Sequence, residues 1–258
     1  MKRIIFLLFA LTVPLAAWAP PLMIGDVGWP KTNAISSGCT PIPGIVAHWP
    51  CDDGSGDAAT DTSGNDFTLF LENAPLWVPA FIGDGLAFTN NTQYAYTYNG
   101  VEVAGLTNAT LTGWVNTTNS FAFGFDDFSA HRFGIILESG VVYWLAENGG
   151  GGYSTCPFTP DGNWHFFAMT FDGTQSGWSR VNAYIDGVQQ TLTGIGATPG
   201  GPGSPGTLDT EDNLGAFSLA YDARTIPFAI YSDLRIYNRT LSAGEISSLH
   251  HETSKTCP

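Results

Sequence analysis

The feature that most constrains this sequence is a series of short runs rich in aromatic and β-branched residues. From Ile45 onward these runs recur at short intervals, separated by clusters of Gly, Asn, Asp and Pro. This pattern is typical of β-strands joined by turns. Helical periodicity first occurs after Ser242, where Ser242 and Glu245 have the spacing of a capping box and predict a helix from Glu245 to about His250. The sequence therefore predicts an all-β domain with one short C-terminal helix.

Two stretches predict the centre of a sheet and a hairpin. Residues 164–171 (WHFFAMTF) are apolar on both faces, which is typical of a central strand whose two faces are both covered. Further along, Asp186-Gly187 separates two strand-like runs and favours a two-residue hairpin turn, in which both residues need positive φ.

The N-terminus predicts export from the cell. Lys2 and Arg3 precede an apolar run, and Ala17-Trp18-Ala19 provides the small-residue pattern of a cleavage site. The run is shorter than the ~20 residues of a membrane-spanning helix. We therefore expect a signal peptide over 1–19 rather than a retained anchor, and a secreted, extracellular or cell-surface protein without a membrane span in its mature chain.

The mature chain divides into an arm and a domain. Residues 20–44 are rich in Pro, Gly and Ser and predict an extended arm, whereas residues 45–258 carry the strand pattern. The formal net charge of -14 excludes nucleic acid as a partner, because an acidic surface repels phosphate backbones. After export, the four cysteines allow two disulfides in three connectivities.

Three stretches resemble one known family. Residues 44–65, 164–187 and 233–246 look like the opening strand and loop, the central strands, and the closing strand and helix of laminin-G-like modules. These modules belong to the concanavalin A-like lectin/glucanase jelly rolls of secreted bacterial proteins. The resemblance covers residues 44–250 and implies a two-sheet antiparallel jelly-roll sandwich in which the first and last strands are adjacent.

The resemblance also bears on the cysteines. Cys51 stands where these modules usually have an aromatic core residue, which suggests a disulfide in place of core packing. Because the chain ends of a jelly roll lie near each other, Cys39 can pair with Cys257, which leaves Cys51 to pair with Cys156. A local Cys39–Cys51 bond is the alternative.

One loop is a candidate calcium site. Acidic and amide side chains crowd residues 52–66, and calcium favours several oxygen ligands in a flexible loop. The resemblance points to this loop and to the adjacent last strand. The candidate ligands of a structural calcium ion are Asp53, Asp61, Asn65 and Asp233. The alternative is that these side chains cap tight turns.

Catalysis is not expected from the spacing of the acidic residues. Retaining glycosidases of this architecture carry paired carboxylates about 5 Å apart on one strand, whereas the glutamates here lack such a partner at strand spacing. A Gly-x-Ser-x-Gly nucleophile elbow is also missing from the sequence. We therefore predict a protein that is not an enzyme.

The candidate ligand contacts are aromatic. Phenylalanines alternate through residues 121–128 beside two aspartates, a pattern that suits either a sugar-binding face or one more core strand. Trp178 lies in a polar turn and is expected to be the most exposed tryptophan. The predicted contact residues are Trp178, Phe125, Asp126 and Asp127.

Two functions follow from these observations. The first is an extracellular binding or adhesion module for a glycan or an extracellular protein. The second is a subunit that assembles with itself into a filament or surface layer, using residues 20–43 to add a strand to a neighbour. Alternatively, this arm folds back over its own domain. A glycoside hydrolase is a remote third reading.

Overall fold

The computed structural model describes 17 strands and one α-helix. The described residues are 41–97, 103, 105–126, 132–146, 152–196, 206–208, 217–219 and 228–252. In chain order, the strands are β1 (Ile45–Trp49), β2 (Ala58–Ala59), β3 (Leu69–Glu72), β4 (Leu76–Pro79), β5 (Asp84–Phe88), β6 (Tyr94–Tyr96), β7 (Asn108–Thr117), β8 (Phe121–Asp126), β9 (Arg132–Glu138), β10 (Val141–Ala146), β11 (Tyr153–Pro157), β12 (Trp164–Asp172), β13 (Val181–Ile185), β14 (Val188–Gln189), β15 (Thr193–Ile195), β16 (Phe217–Leu219) and β17 (Ala229–Tyr237). The helix α1 spans Ala243–His250.

The strands form two antiparallel sheets. The first sheet has the order β14-β13-β12-β7-β17-β5-β4, with β1 also paired to β17. The second sheet has the order β15-β11-β10-β9-β8-β16-β6-β3-β2. One large apolar cluster takes side chains from both sheets, which is the arrangement of a β-sandwich. The predicted two-sheet fold, with its first and last strands adjacent, is confirmed.

Strand β12 lies in the interior of the first sheet and is covered on both faces, as the sequence predicts. It pairs with β7 on one side and β13 on the other. Phe167, Met169 and Phe171 point into the main core, whereas Phe166 and Ala168 belong to a second cluster on the opposite face. Burial of both faces explains the continuous apolar run.

Helix α1 covers the outer face of the first sheet, the face directed away from the second sheet. The predicted capping box is confirmed: Glu245 N–H donates to Ser242 Oγ, and Ser242 N–H donates to the Glu245 carboxylate. Ile246 and Leu249 pack on the sheet beside Trp114. No helix within the described ranges is both long and apolar enough to cross a membrane.

The hairpin and the end of the predicted arm are also described. Asp186 and Gly187 both have positive φ, 52° and 74°, in the turn between β13 and β14, which confirms that prediction. Ile42 packs against the cluster beneath α1, and Arg239 Nε donates to the Pro43 carbonyl. The last residues of the arm thus lie on their own domain. The predicted signal peptide and the rest of the arm lie outside the described residues.

Candidate binding face on the second sheet

The outer face of the second sheet is set by the alternation of side chains along β8. Phe121, Phe123 and Phe125 point into the core, where all three are buried. Because successive side chains on a strand point to opposite faces, Ala122 and Gly124 lie on the outer face. The phenylalanines therefore form a core strand, and the outer surface between them is made of small residues.

This alternation corrects one predicted contact residue. Phe125 is only 1% exposed and stacks on Phe133 inside the sandwich, so it cannot reach a ligand. Asp126 ends β8 opposite Arg132, but its side chain lies outside the described part of the structure. Asp127 lies outside the described residues altogether.

One row of directly paired residues crosses eight of the nine strands of the second sheet. Each member lies opposite the next on the neighbouring strand, so all share one face. From β3 to β15 the row is Phe70, Tyr96, Ser218, Gly124, Gly134, Leu145, Tyr153 and Ile195. Aromatic residues thus occur on both sides of the row, at Phe70 and Tyr96 on one side and at Tyr153 on the other, and small residues occupy β16, β8 and β9 in its centre.

The first group of rings, here called the β3–β6 aromatic cluster, consists of Phe70, Tyr94 and Tyr96. The ring centroids of Tyr94 and Tyr96 are 5.8 Å apart, and those of Phe70 and Tyr96 are 6.4 Å apart. The Tyr96 hydroxyl lies 3.4 Å from Oε1 of Glu72, its hydrogen-bond acceptor. All three rings are half-buried, so each has both a packed edge and an accessible surface.

The second group, the β10–β11 tyrosine pair, consists of Tyr143 and Tyr153. Their centroids are 5.4 Å apart, and both rings pack beside Ala122, Ile136 and Leu145. These three aliphatic residues are at most 8% exposed, whereas the two tyrosines are half-buried. The aromatic rings therefore stand above a recessed floor.

The centre of that floor requires glycine. A Cβ added to Gly124 would lie 2.4 Å from Cα of Gly134 and 2.5 Å from the Phe133 carbonyl oxygen. Gly124 also has a φ of 136°, which residues with a Cβ rarely adopt. At the level of Gly124 and Gly134, β8 and β9 therefore present no side chain between the aromatic groups.

Trp178, another predicted contact residue, lies beside the second sheet. It lies in a short 3-10 turn, Gly177–Arg180, and is half-buried. Its ring packs on the backbone of β15, since a Cβ added to Gly194 would lie 2.2 Å from Cδ2 of Trp178. The structure therefore assigns it a packing role at the edge of the second sheet.

The loop residues predicted to bind calcium make hydrogen bonds within their loop and to the first strand. Asp61 accepts backbone N–H groups from His48, Ser63 and Phe67 at 2.9 to 3.0 Å, and Asp53 accepts from the N–H and hydroxyl of Thr60. The Asn65 amide donates to the Val46 carbonyl. Within the described residues, no three His, Cys, Asp or Glu side chains form a group that can hold a metal. These hydrogen bonds are those of the turn-capping alternative, and calcium binding in this loop stays a prediction.

Asp233, the fourth predicted ligand, belongs to a buried ion-pair network. Its carboxylate accepts from Nε and Nη2 of Arg235 at 3.0 and 3.1 Å, and Arg235 also donates to Glu252. Burial raises the pKa of Asp233, but the charge of Arg235 and the hydrogen bond with His48 outweigh it, so the pKa lies below its usual range. In this structure the carboxylate of Asp233 is therefore held by Arg235 and His48.

The same network contains a hydroxyl–imidazole–carboxylate relay. His48 Nδ1 lies 2.9 Å from the Thr62 hydroxyl, and His48 Nε2 lies 2.8 Å from Asp233. His48 is completely buried, and the Thr62 hydroxyl also lies 3.3 Å from the backbone carbonyl oxygen of His48. The imidazole cannot reach a substrate, so we interpret these hydrogen bonds as a structural connection between the first loop and the last strand.

The proposed cysteine pairing is corrected in part. Cys156 is a buried free thiol, and its sulfur accepts a hydrogen bond from Nε1 of Trp144 at 3.3 Å. The Cys51–Cys156 disulfide is therefore not formed. Cys39 and Cys257 lie outside the described residues, so pairings that involve them stay predictions.

The sequence did contain a signal for the binding face. In residues 93–97 (QYAYT), Ala95 points into the core, so Tyr94 and Tyr96 point outward. The tyrosines at 143 and 153 occupy the equivalent outward positions of β10 and β11. To recognise these tyrosines as outward-facing, one must know which of the two alternating sets of side chains points into the core. The alternation alone does not specify this.

The sequence matches the model of a known protein family. A family model described as the concanavalin A-like lectin/glucanases superfamily matches residues 88–247, more than half of the chain. The chain belongs to this superfamily. No curated protein matches the sequence at a significant level.

Solved structures of this lectin/glucanase fold are similar at low sequence identity. One is domain 4 of AbnA, a GH43 extracellular arabinanase from Geobacillus stearothermophilus, in complex with arabinotriose; it is 18% identical with a TM-score of 0.59, covering 81% of this chain and 98% of that chain. Another is the botulinum neurotoxin serotype D ligand binding domain in complex with N-acetylneuraminic acid. It is 13% identical with a TM-score of 0.57, covering 80% of this chain and 50% of that chain.

A third similar structure is the binding domain of Paraclostridial Mosquitocidal Protein 1, which is 14% identical with a TM-score of 0.57 and covers 80% of this chain and 52% of that chain. The present chain thus spans about half the length of the two toxin domains. At these identities the likeness establishes the shared lectin/glucanase fold alone.

Proposed function

We propose that this protein is a non-catalytic, extracellular glycan-binding module and that the outer face of the second sheet is its binding surface. The observation that carries the proposal is the arrangement of half-buried aromatic rings on either side of a floor of small residues. Aromatic rings offer flat apolar surfaces for the C–H faces of sugars, and tyrosine adds a polar hydroxyl. Glu72 and Arg132, on the same face, provide hydrogen-bonding groups for sugar hydroxyls.

Membership of a lectin and glucanase superfamily supports a carbohydrate ligand. Of the similar solved structures, one is in complex with arabinotriose and another with N-acetylneuraminic acid. Those ligands belong to those proteins, but they support the proposal that this fold is used here for sugar recognition outside the cell.

The positions of the carboxylates on this face support binding rather than hydrolysis. Glu72 lies on β3 and Glu138 on β9, four strand spacings apart, which corresponds to at least about 19 Å. Glycosidases need their two carboxyl groups about 5 to 10 Å apart. These two residues are therefore too distant to act as a catalytic pair.

The proposal is tested by screening the full-length protein on a glycan array and measuring affinity for the best ligand. We expect Tyr96→Ala and Tyr143→Ala each to weaken binding about tenfold or more, because each removes an aromatic contact from one of the two groups of rings. Phe81→Ala is the matched control, since Phe81 is 56% exposed and stacks on Trp114 of the first sheet. Equal losses in all three variants, or retention of no glycan, would contradict the proposal.

Self-assembly through residues 20–43 stays a prediction, because most of that segment lies outside the described residues.

A further inference from the structure

The aromatic rings of the binding face form two separate groups. The β3–β6 aromatic cluster and the β10–β11 tyrosine pair each hold their rings within 5.4 to 6.4 Å of one another. Between β6 and β10 lie β16, β8 and β9. At about 4.8 Å per strand, Tyr94 on β6 and Tyr143 on β10 are roughly 19 Å apart across the sheet.

The strands between the two groups contribute little to stacking. At the level of the row they carry Gly124 and Gly134, with Ala122 and Ile136 beside them. Ile136 and Ala122 are 8% and 7% exposed. Among the described residues, a sugar above this floor meets no aromatic ring, so a short ligand can use only one group of rings at a time.

We infer that the ligand is a neutral, linear glycan of about five or more sugar units that lies across the strands and contacts both aromatic groups. The inference rests on the proposed function and adds the class and length of the ligand. One sugar unit advances a glycan chain by roughly one strand spacing, so bridging β6 to β10 requires about five units.

The charge of the molecule argues for a neutral ligand. The net charge is -14, and the charged side chains described on this face are Glu72, Glu138 and Arg132. Two carboxylates and one guanidinium leave the face acidic, and an anionic glycan would be repelled both locally and by the whole protein.

Bridging has a measurable consequence. Once one end of a glycan is bound, contact of its other end with the second group of rings is intramolecular, which raises affinity by about 100-fold or more without a new type of contact. Affinity should therefore increase sharply at one chain length and then level off.

The test is isothermal titration calorimetry of the full-length protein with neutral linear gluco-, xylo- and arabino-oligosaccharides, from disaccharide to octasaccharide. In at least one series we expect affinity to rise about 100-fold between the trisaccharide and the hexasaccharide and then to remain constant. Tyr143→Ala and Tyr96→Ala should each bind the hexasaccharide no better than the wild type binds the trisaccharide, whereas Phe81→Ala should keep the full length dependence.

Three results would overturn the inference. Equal affinity at all lengths would mean that a chain end or a single sugar is recognised, and the proposed function would survive. Tighter binding of a uronate-containing or sialylated ligand than of every neutral series would contradict neutrality alone. Absence of binding to every glycan would contradict the proposed function as well.

Discussion

His48 and Asp233 are separated by 185 positions in the chain, yet Nε2 of His48 lies 2.8 Å from Oδ1 of Asp233. The contact exists because β1 and β17 are neighbours, so the opening strand meets the closing strand. Asp233 sits at an irregularity of β17, with a φ of 51°, between the residues that pair regularly with β7. This bend places its carboxylate between the imidazole of His48 and the guanidinium of Arg235.

Removal of the Asp233 charge is expected to destabilise the protein strongly. Asp233→Asn leaves Arg235, which is 2% exposed, paired only with Glu252. Breaking a buried ion pair in this way costs about 3 to 5 kcal/mol. Guanidinium unfolding measures the loss, with the exposed Asp57→Asn as control. Because the folded-state pKa of Asp233 is lowered, its contribution should be present above its unfolded pKa and be lost as the pH falls through the folded value.

The contribution of His165 to stability is expected to have the opposite pH dependence. Its Nδ1 lies 2.7 Å from Asp186 and its Nε2 lies 3.1 Å from Asp161, so the protonated ring satisfies both carboxylates. Burial lowers the pKa of His165, but the hydrogen bonds with Asp186 and Asp161 raise it above its usual value. Its stabilising contribution is therefore complete below the unfolded pKa of about 6.5 and is lost as the pH rises through the folded value.

The measurement for His165 is the free energy of unfolding of wild type and His165→Gln across a pH series. The difference between the two should be largest in mildly acidic solution and should shrink as the pH rises. A difference that grows with pH would show that the neutral ring is the form held by the two aspartates.

Gly124 tests the close approach of β8 and β9. Gly124→Ala combines an unfavourable φ with a Cβ 2.4 Å from Gly134, so we expect a loss of about 3 kcal/mol or more. Gly56→Ala is the matched control, because Gly56 also has a positive φ, 101°, but nothing lies within 4 Å of an added Cβ. It should cost only about 1 kcal/mol. Equal losses in urea unfolding would mean that the two strands separate easily.

Asp61 distinguishes a turn-capping loop from a calcium loop. Asp61→Ala leaves the N–H groups of His48, Ser63 and Phe67 without their acceptor and should cost about 2 kcal/mol or more. A ligand that binds only the folded state raises the melting temperature. We expect the wild-type melting temperature to be unchanged by a chelator. A lower melting temperature in chelator would instead support calcium binding by this loop.

Cys156 should behave as a protected thiol. Burial raises its pKa, an effect that the hydrogen bond from Trp144 only partly offsets. Since the thiolate is the reactive form, a thiol reagent should label Cys156 only after unfolding. Peptide mass mapping before and after denaturation provides the measurement. A disulfide-linked peptide containing Cys156 would contradict this prediction.

Local pattern was sufficient for much of the fold. The capping box at Ser242 and Glu245, the Asp186-Gly187 hairpin and the doubly buried strand through Phe167 each depend on neighbouring residues, and each is confirmed. The candidate binding face could not be predicted from local pattern. The alternating phenylalanines of β8 are compatible with either orientation, and one residue of register exchanges the core side for the outer side.

The sequence by itself determined that this chain forms strands, where they turn and which family it resembles, because these properties follow from side-chain type and short-range spacing. Only the tertiary structure decided that Phe125 is buried while Tyr96 and Tyr143 face outward, and that Asp233 pairs with Arg235 and His48. The physical reason is that both results depend on which strands become neighbours in the sheets. Strand neighbours distant in the chain are chosen by packing of the whole core, which short-range spacing does not specify.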